Sequence, residues 1–270
     1  LLVVIAIIGI LSGLIVVSMS GVTQKANIAK AQVFSNSLKS SLMLDLVSEW
    51  KLDGTANDSW GTNNGTLYGT TAVSDCVYGA CRDFNGTSTD YVALSNPSSI
   101  VSLQSGTVSL WIKADDVVNE KPIFLVNGTG YVILEVRSSK IRIDAGSLGG
   151  TVSGSTVLKI GTWYNLVYSS DGTNWKLYVN GNLETLALSG SNGHWFGDVT
   201  SGNCYIGKYL TAIYFDGSID DVRLYNAVIP TSQIKEQYFA GLNKLLATGQ
   251  VSGGEYQENA LKLSQYSANK

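Results

Sequence analysis

Carboxylate and amide side chains lie in turn-forming segments of this sequence, where they could bind a divalent cation. Five of them carry the oxygen atoms that calcium prefers: Asp53, Asp58, Asn63, Asn64 and Asp220. Calcium takes roughly six to eight oxygen ligands from carboxylates, amides and backbone carbonyls. Asp and Asn also hydrogen-bond the backbone of the turns they occupy. Residue type alone therefore leaves a calcium site and ordinary turn stabilisation both open.

A short aromatic segment has the residue types that bind sugars. His194, Trp195 and Phe196 follow one another, and Tyr209 and Tyr214 come shortly after them. Exposed aromatic rings stack on the apolar face of a sugar, while neighbouring amides bind its hydroxyls. The alternative is that Trp195 and Phe196 close the bottom of a β-sandwich, and we favour this alternative because large aromatic residues are more often part of a core. We expect His194, the only histidine, to be an exposed or hydrogen-bonded polar residue.

The sequence offers little for catalysis. The sequence has a single histidine, so a His-Glu-x-x-His metal-binding helix is not possible, and nothing in the sequence indicates a Ser-His-Asp triad. Paired carboxylates on one strand, which cleave glycosidic bonds, would show as a Glu-x-Asp-x-Glu run, and the sequence has none. We therefore expect that the protein is not an enzyme.

Three cysteines are too few for a disulfide framework, but two of them are close in sequence. Cys76 and Cys81 are separated only by Val-Tyr-Gly-Ala, so we predict a disulfide across a small turn. The alternative is a pair of buried thiols that face apart. We expect Cys204 to be a buried free thiol on a strand.

The elements that must position these residues are mostly strands. Only 14% of residues are charged, and Asn-Gly and Asp-Gly turns recur between segments that alternate apolar and polar residues. This pattern predicts two packed antiparallel sheets. The predicted strands are Ser48–Leu52, Asp90–Leu94, Val108–Lys113, Ile123–Val126, Tyr131–Val136, Lys140–Asp144, Trp163–Ser169, Lys176–Val179, Asn203–Ile206 and Ile219–Tyr225.

Net charge bears on the partners of the chain. The formal net charge is -3, and no Lys/Arg cluster interleaved with aromatic residues occurs. Without a basic field to attract phosphates, nucleic acid is not an expected partner.

Helical patterns occur at both ends of the chain. Residues Leu1–Ser18 carry no charge and could cross a bilayer as one helix, and an amphipathic pattern continues to Val47. After Pro230, Thr231 or Ser232 can cap a helix that ends near Gly249, and a second helix is predicted from Glu255 to Tyr266. The C-terminal helices either pack on their own subunit or bridge neighbouring subunits.

The run LLVVIAIIGIL at the start of the chain resembles type IV pilins and pseudopilins. The resemblance implies a helix that sits in the membrane first and then packs against its copies in the core of a filament. Apolar burial would drive that association. The expected assembly positions are Leu1, Val4, Ile5, Ile8, Gly9, Leu11, Gly13 and Ile15.

The body of the chain resembles the concanavalin A-like, laminin-G-like jelly rolls. Matching segments occur in the expected order at Trp50–Gly54, Asp58–Thr66, Phe84–Gly86, Asp90–Val92, Gly161–Tyr164, Leu177–Gly181 and Phe215–Asn226. The resemblance implies the jelly-roll fold and favours calcium over simple turn stabilisation, but it says little about the ligand.

Together these patterns predict an α+β protein: a long pilin-like N-terminal α-helix (1–46), an antiparallel β-sandwich jelly-roll head (47–229) and short C-terminal helices (230–270). The predicted function is a structural subunit of an extracellular, type IV pilus-like filament at the cell surface. Its identical subunits would leave the membrane on assembly, and the lectin-like head would serve adhesion or glycan binding. The alternatives are a membrane-anchored monomeric adhesin and a minor pseudopilin of a secretion or DNA-uptake system.

Overall fold

The structure is a computed structural model that describes residues 44–87, 89–190, 192–200, 202–209 and 213–268. The chain from Asp45 onward forms one compact unit. Its elements, in chain order, are β1 Leu46–Trp50, β2 Gly65–Tyr68, β3 Thr71–Val73, β4 Cys81–Asn85, β5 Tyr91–Leu94, α1 Pro97–Val101, β6 Gly106–Ala114, β7 Lys121–Asn127, β8 Tyr131–Arg137, β9 Lys140–Asp144, β10 Thr151–Ser153, β11 Trp163–Ser170, β12 Trp175–Val179, β13 Asn182–Leu183, β14 Ala187–Ser189, β15 Asn203–Ile206, β16 Lys208–Tyr209, β17 Ile213–Tyr214, β18 Asp216–Tyr225, α2 Thr231–Ala247 and α3 Gly253–Ala268.

The strands form two large antiparallel sheets packed face to face. The first sheet has the order β13-β12-β11-β6-β18-β4-β3, and β1 also pairs with β18. The second sheet has the order β14-β10-β9-β8-β7-β15-β5-β2. Strands β16 and β17 make a small separate hairpin that packs on β7. The predicted sandwich is therefore confirmed, and the inner faces of the two sheets supply its core.

The core follows from the alternation of residues along the strands. Phe84, Leu110, Phe124, Leu166 and Ile206 are all buried and belong to one hydrophobic cluster between the sheets. Their neighbours in sequence point to the other face of each sheet, except that an irregularity between Pro122 and Phe124 places Ile123 in the same cluster. All ten predicted strands correspond to observed strands, although the first is displaced by two residues. The strands that the sequence did not predict are β2, β3, β4, β10, β13, β14, β16 and β17, which have two to five residues each.

The predicted α+β class with a long N-terminal helix is wrong for the part of the chain that is described. That part is mostly β-sandwich, with short helices at the C-terminal end. The helix was expected to continue to Val47, but Leu46–Trp50 pairs with β18 as strand β1. Ser48 and Trp50 are fully buried while Glu49 is not, which is the period-two pattern of a strand. The predicted assembly positions, from Leu1 to Ile15, lie outside the described residues.

Helix α2 covers the outer face of the first sheet. Tyr238 stacks on Trp111 of β6 with ring centroids 5.7 Å apart, and Leu242 and Leu245 join the same hydrophobic cluster. Tyr238, Leu242 and Leu245 of the predicted C-terminal helix are therefore buried against their own subunit, whereas Leu246 is 37% exposed. Among the residues that the structure describes, no helix is both long enough and apolar enough to span a membrane.

Candidate functional site

Three of the residues predicted to bind calcium organise a turn. The Asp58 carboxylate accepts hydrogen bonds from the backbone N–H groups of Glu49 and Gly61, at 3.0 and 2.8 Å. Burial opposes the charged form of Asp58, but these hydrogen bonds lower its pKa below the usual value. Asn64 Oδ1 accepts the Asp58 N–H at 3.0 Å, and the Asn63 amide donates to Ser48 Oγ at 2.6 Å. These hydrogen bonds are of the kind expected if the three residues stabilise a turn.

Asp53 and Asp220 act elsewhere, on the loop closed by Cys76 and Cys81. The fully buried Asp220 accepts the Val77 and Tyr78 N–H groups at 2.9 and 2.8 Å, and Asp53 accepts the Ala80 N–H at 2.6 Å. Within the described ranges, no three His, Cys, Asp or Glu side chains are grouped so that they could hold a metal ion. The five residues do not converge on one site, and calcium binding stays a prediction.

The cysteines are placed as the sequence suggested. Cys76 and Cys81 form a disulfide with their Cα atoms 5.7 Å apart. Cys204 is a buried thiol on β15, and burial raises its pKa to about 12. This thiol is therefore protonated at neutral pH and a poor nucleophile.

The segment around Trp195 is part of the core rather than of a ligand site. Trp195 and Phe196 are each 1% exposed, and their rings stack 4.3 Å apart. Phe196 also stacks on Phe124 at 5.4 Å, so the pair closes the sandwich. His194 Nδ1 lies 2.9 Å from Asp198 Oδ2, which makes His194 a hydrogen-bonded polar residue. Neither core ring offers a face to a ligand.

Tyr209 and Tyr214, in contrast, lie on the β16–β17 hairpin, over the outer face of the second sheet. The Tyr209 ring is 5.2 Å from that of Tyr131 on β8, and the Tyr214 ring is 6.4 Å from that of Tyr91 on β5. The sequence grouped these two tyrosines with Trp195 and Phe196, and the structure separates the two pairs.

The same outer face carries a cluster that we call the tyrosine face: Tyr68, Tyr91, Tyr205, Lys208 and Tyr214. Tyr68 and Tyr91 are paired across β2 and β5, and their rings stack 4.5 Å apart and nearly parallel. Tyr205 meets Tyr91 edge-on at 5.9 Å. Each strand turns its tyrosine outward because the neighbouring apolar residue, such as Val92 beside Tyr91, is in the core. Tyr68 is 44% exposed and presents its ring to solvent.

A cation lies among these rings. The Lys208 ammonium is 4.0 Å from the Tyr91 centroid and 5.0 Å from that of Tyr205, both within cation–π range. Burial, followed by the neighbouring tyrosines, raises the pKa of Tyr91, so its phenol is neutral at physiological pH. The tyrosine face can therefore stack on apolar C–H groups, exchange hydrogen bonds through phenol oxygens and donate from an ammonium group.

Charged side chains lie next to one another on β8 and β9 of the same sheet. Glu135 of β8 is paired with Arg142 of β9, with its Oε1 atom 3.6 Å from Arg142 Nε. Arg142 also pairs with Asp144. Burial and, after it, the nearby Glu120 raise the pKa of Glu135, Arg142 lowers it, and the net pKa is about 8. Only 1% of Glu135 is exposed, so a ligand on the surface cannot reach it.

Sequence reasoning missed most of the tyrosine face. The available signal was a tyrosine next to an inward-facing apolar residue in three segments, Leu67–Tyr68, Tyr91–Val92 and Cys204–Tyr205. That signal places each tyrosine on an outer face. It does not show that β2, β5 and β15 are adjacent, because strand order is set by long-range pairing.

Comparison with known proteins agrees with this fold. The laminin G family model described as the concanavalin A-like lectin/glucanases superfamily matches residues 85–235, more than half of the chain. The chain belongs to this superfamily. Pentraxin-related protein PTX3 of Mus musculus is 24% identical over 154 residues, which are 52% of this chain and 40% of that protein. The chain therefore spans less than half the length of this curated relative.

Solved structures of other proteins share the concanavalin A-like fold. Domain 4 of AbnA, a GH43 extracellular arabinanase from Geobacillus stearothermophilus solved with arabinotriose, has a TM-score of 0.60 and 21% identity, covering 71% of this chain and 97% of that one. A botulinum neurotoxin type C structure, from work on its dependence on two ganglioside molecules for cell entry, has a TM-score of 0.59 and 11% identity, covering 75% and 53%. At these identities the likeness speaks for the fold alone. The body is thus a concanavalin A-like jelly roll.

Proposed function

We propose that this concanavalin A-like domain binds carbohydrate through the tyrosine face. The observation that carries the proposal is the Tyr68 ring, which is stacked on Tyr91 and 44% exposed. Aromatic rings that are anchored by a neighbour and open on one side suit the C–H face of a sugar, and Lys208 supplies a hydrogen-bond donor beside them. The arabinotriose complex of AbnA domain 4, which shares the fold, supports a saccharide as the class of ligand.

The test compares glycan binding by three single variants of the full chain. A glycan array that includes arabinotriose identifies the ligand, and calorimetry then measures its affinity. Tyr68→Ala should weaken binding by about tenfold, or about 1.4 kcal/mol, because the exposed ring is lost. Tyr68→Phe, which keeps the ring, should retain most of the affinity.

Trp60→Ala is the matched control, because Trp60 is another exposed aromatic residue, 46% exposed, in the turn before β2 and outside the tyrosine face. It should leave the affinity unchanged. Wild-type affinity in Tyr68→Ala, or a loss confined to Trp60→Ala, would refute binding through the tyrosine face.

We infer binding without hydrolysis. A glycosidase needs a carboxyl group with a raised pKa that protonates the glycosidic oxygen. The carboxyl with a raised pKa beside the tyrosine face belongs to Glu135, and its burial keeps it from a surface ligand. The glycan identified on the array should be recovered intact after long incubation with the protein.

We also infer that the domain is displayed outside the cell by the apolar N-terminal segment. Support for this comes from the sequence of residues 1–18, which resembles the segment through which pilins assemble into filaments. A subunit of a surface filament is the form we propose, with the membrane-anchored adhesin as the alternative. The two differ in whether the full chain associates with copies of itself.

A further inference from the structure

A cleft of about 580 Å³ lies on the opposite side of the molecule's sandwich, between the outer face of the first sheet and helices α2 and α3. Strands β6, β11 and β12 form its floor, which Trp163 and Val179 line. Trp163 is 8% exposed, and the Lys113 ammonium lies 5.3 Å from its ring centroid. Its volume falls within the range of about 300–1,000 Å³ that is usual for small-ligand sites. The tyrosine face belongs to the other sheet, so the two places are separate.

The walls of the cleft are fixed by packing and hydrogen bonds. Helix α2 approaches the sheet closely at Gly241, where a Cβ atom would overlap the Trp111 ring. Gln250, between α2 and α3, accepts a hydrogen bond from Trp163 Nε1 at 2.8 Å and donates to the Cys76 carbonyl at 2.8 Å. The Tyr256 hydroxyl of α3 donates to Asn243 Oδ1 of α2 at 2.8 Å. A preformed cleft of this kind costs little conformational entropy when a ligand binds.

The chemistry of the lining fits a neutral, hydroxyl-rich ligand. Asn182 from the sheet and Asn259 from α3 bring amides to the cleft beside the Trp163 ring. The charged side chains nearly balance, because two lysines, Lys113 and Lys159, face three acidic residues, and Lys113 is paired with Asp75. The amide nitrogens of Asn182 and Asn259 already donate to the carbonyls of Asn180 and Glu255, at 3.1 and 2.9 Å, so the amide oxygens are the groups that can accept hydroxyl hydrogens from a ligand. No single charge dominates to hold an ion.

The cleft combines residues inside and outside the family match. The family match ends at residue 235, while α2 runs to Ala247 and α3 follows it. The wall that carries Asn259 therefore lies outside the matched residues. We propose that the cleft is a second carbohydrate site, which takes a short neutral oligosaccharide between Trp163 and α3. This site does not depend on the tyrosine face.

The experiment follows the indole signal of Trp163 in the ¹⁵N-labelled full chain, with the signal assigned by Trp163→Phe. Cellotriose, xylotriose and N,N′,N″-triacetylchitotriose are the probes, each added up to about 10 mM so that millimolar dissociation constants are detected. At least one probe should shift the signal in a saturable way. Asn259→Trp, which fills the cleft, should weaken that response at least tenfold.

The matched control is Gln257→Trp on the same helix, an exposed position that does not line the cleft, and it should respond as the wild type does. Tyr68→Ala should also keep the response, which separates this site from the tyrosine face. The proposal is overturned if none of the three probes shifts the Trp163 signal, if Asn259→Trp responds like Gln257→Trp, or if Tyr68→Ala abolishes the response.

Discussion

At the scale of single residues, two buried carboxyl groups should make the stability of the domain depend on pH. The pKa values of Glu135 and Asp220 are raised to about 8 each, mainly by burial and with a contribution from neighbouring carboxylates. Their usual pKa values are near 4, so the folded protein binds these protons more tightly than the unfolded chain. The stabilisation is therefore complete below about pH 4 and is lost as the pH rises to about 8.

Glu135→Gln should remove part of this dependence. The amide mimics the protonated carboxyl group and carries no charge that burial would penalise, so the variant should match the wild type near pH 4. Near pH 8.5 it should be more stable than the wild type, by on the order of a few kcal/mol. The measurement is urea unfolding at a series of pH values.

The control for this prediction is Glu236→Gln on helix α2, which removes a partly exposed carboxylate from another part of the domain and should not produce the gain in stability near pH 8.5. Parallel profiles for Glu135→Gln and the wild type between about pH 4 and 8.5 would show that Glu135 titrates normally in the folded state.

At the scale of elements, the strands of seven or more residues could be predicted and those of two or three could not, while strands of four or five divide between the two groups. Segments such as Lys140–Asp144 combine apolar alternation with flanking turns, and both ends were placed correctly. The β16–β17 hairpin has two residues in each strand, too few for a period to show. At Leu46–Trp50 the helical period of the preceding residues was extended too far, because the pairing with β18 decides the conformation there.

The disulfide that closes the loop between Cys76 and Cys81 can be removed with a predictable effect on stability. The loop delivers the Val77 and Tyr78 N–H groups to Asp220 and packs under α2 beside Trp163. Closing a loop this short restricts the unfolded chain by about 2 kcal/mol. Cys76→Ser with Cys81→Ser should therefore lower the free energy of unfolding by about that amount, measured by chemical denaturation.

Reduced wild-type protein provides the control, and it should unfold like the double variant. The double variant itself should not respond to reductant, because its remaining Cys204 is a free thiol. If oxidised wild type and double variant had equal stability, the disulfide would contribute nothing to the fold.

At the scale of the whole molecule, the sandwich could be predicted from the sequence but the candidate site could not. The order of resembling segments, ending in Phe215–Asn226, was enough to indicate the jelly roll. The tyrosine face needs the adjacency of β2, β5 and β15, which are far apart in sequence, and the crossing of the β16–β17 hairpin over them. The cleft likewise depends on the packing of α2 and α3 against the first sheet. The apolar periodicity of a helix does not show which surface that helix packs against.

The final prediction separates the roles of the head and of the N-terminal segment. Among the described residues, the buried members of the core cluster between the sheets lie from Trp50 onward, and the chain from Asp45 forms its own compact unit. A fragment of residues 45–270 should therefore fold and unfold at the same denaturant concentration as the full chain, and it should bind the same glycan. It should also be monomeric in sedimentation experiments, whereas the full chain, with its uncharged residues 1–18, should associate. A full chain that stays monomeric in detergent and after detergent removal would exclude the filament and leave the anchored adhesin. Association of the fragment alone would instead place the contact on the head, where the apolar N-terminal segment has no part.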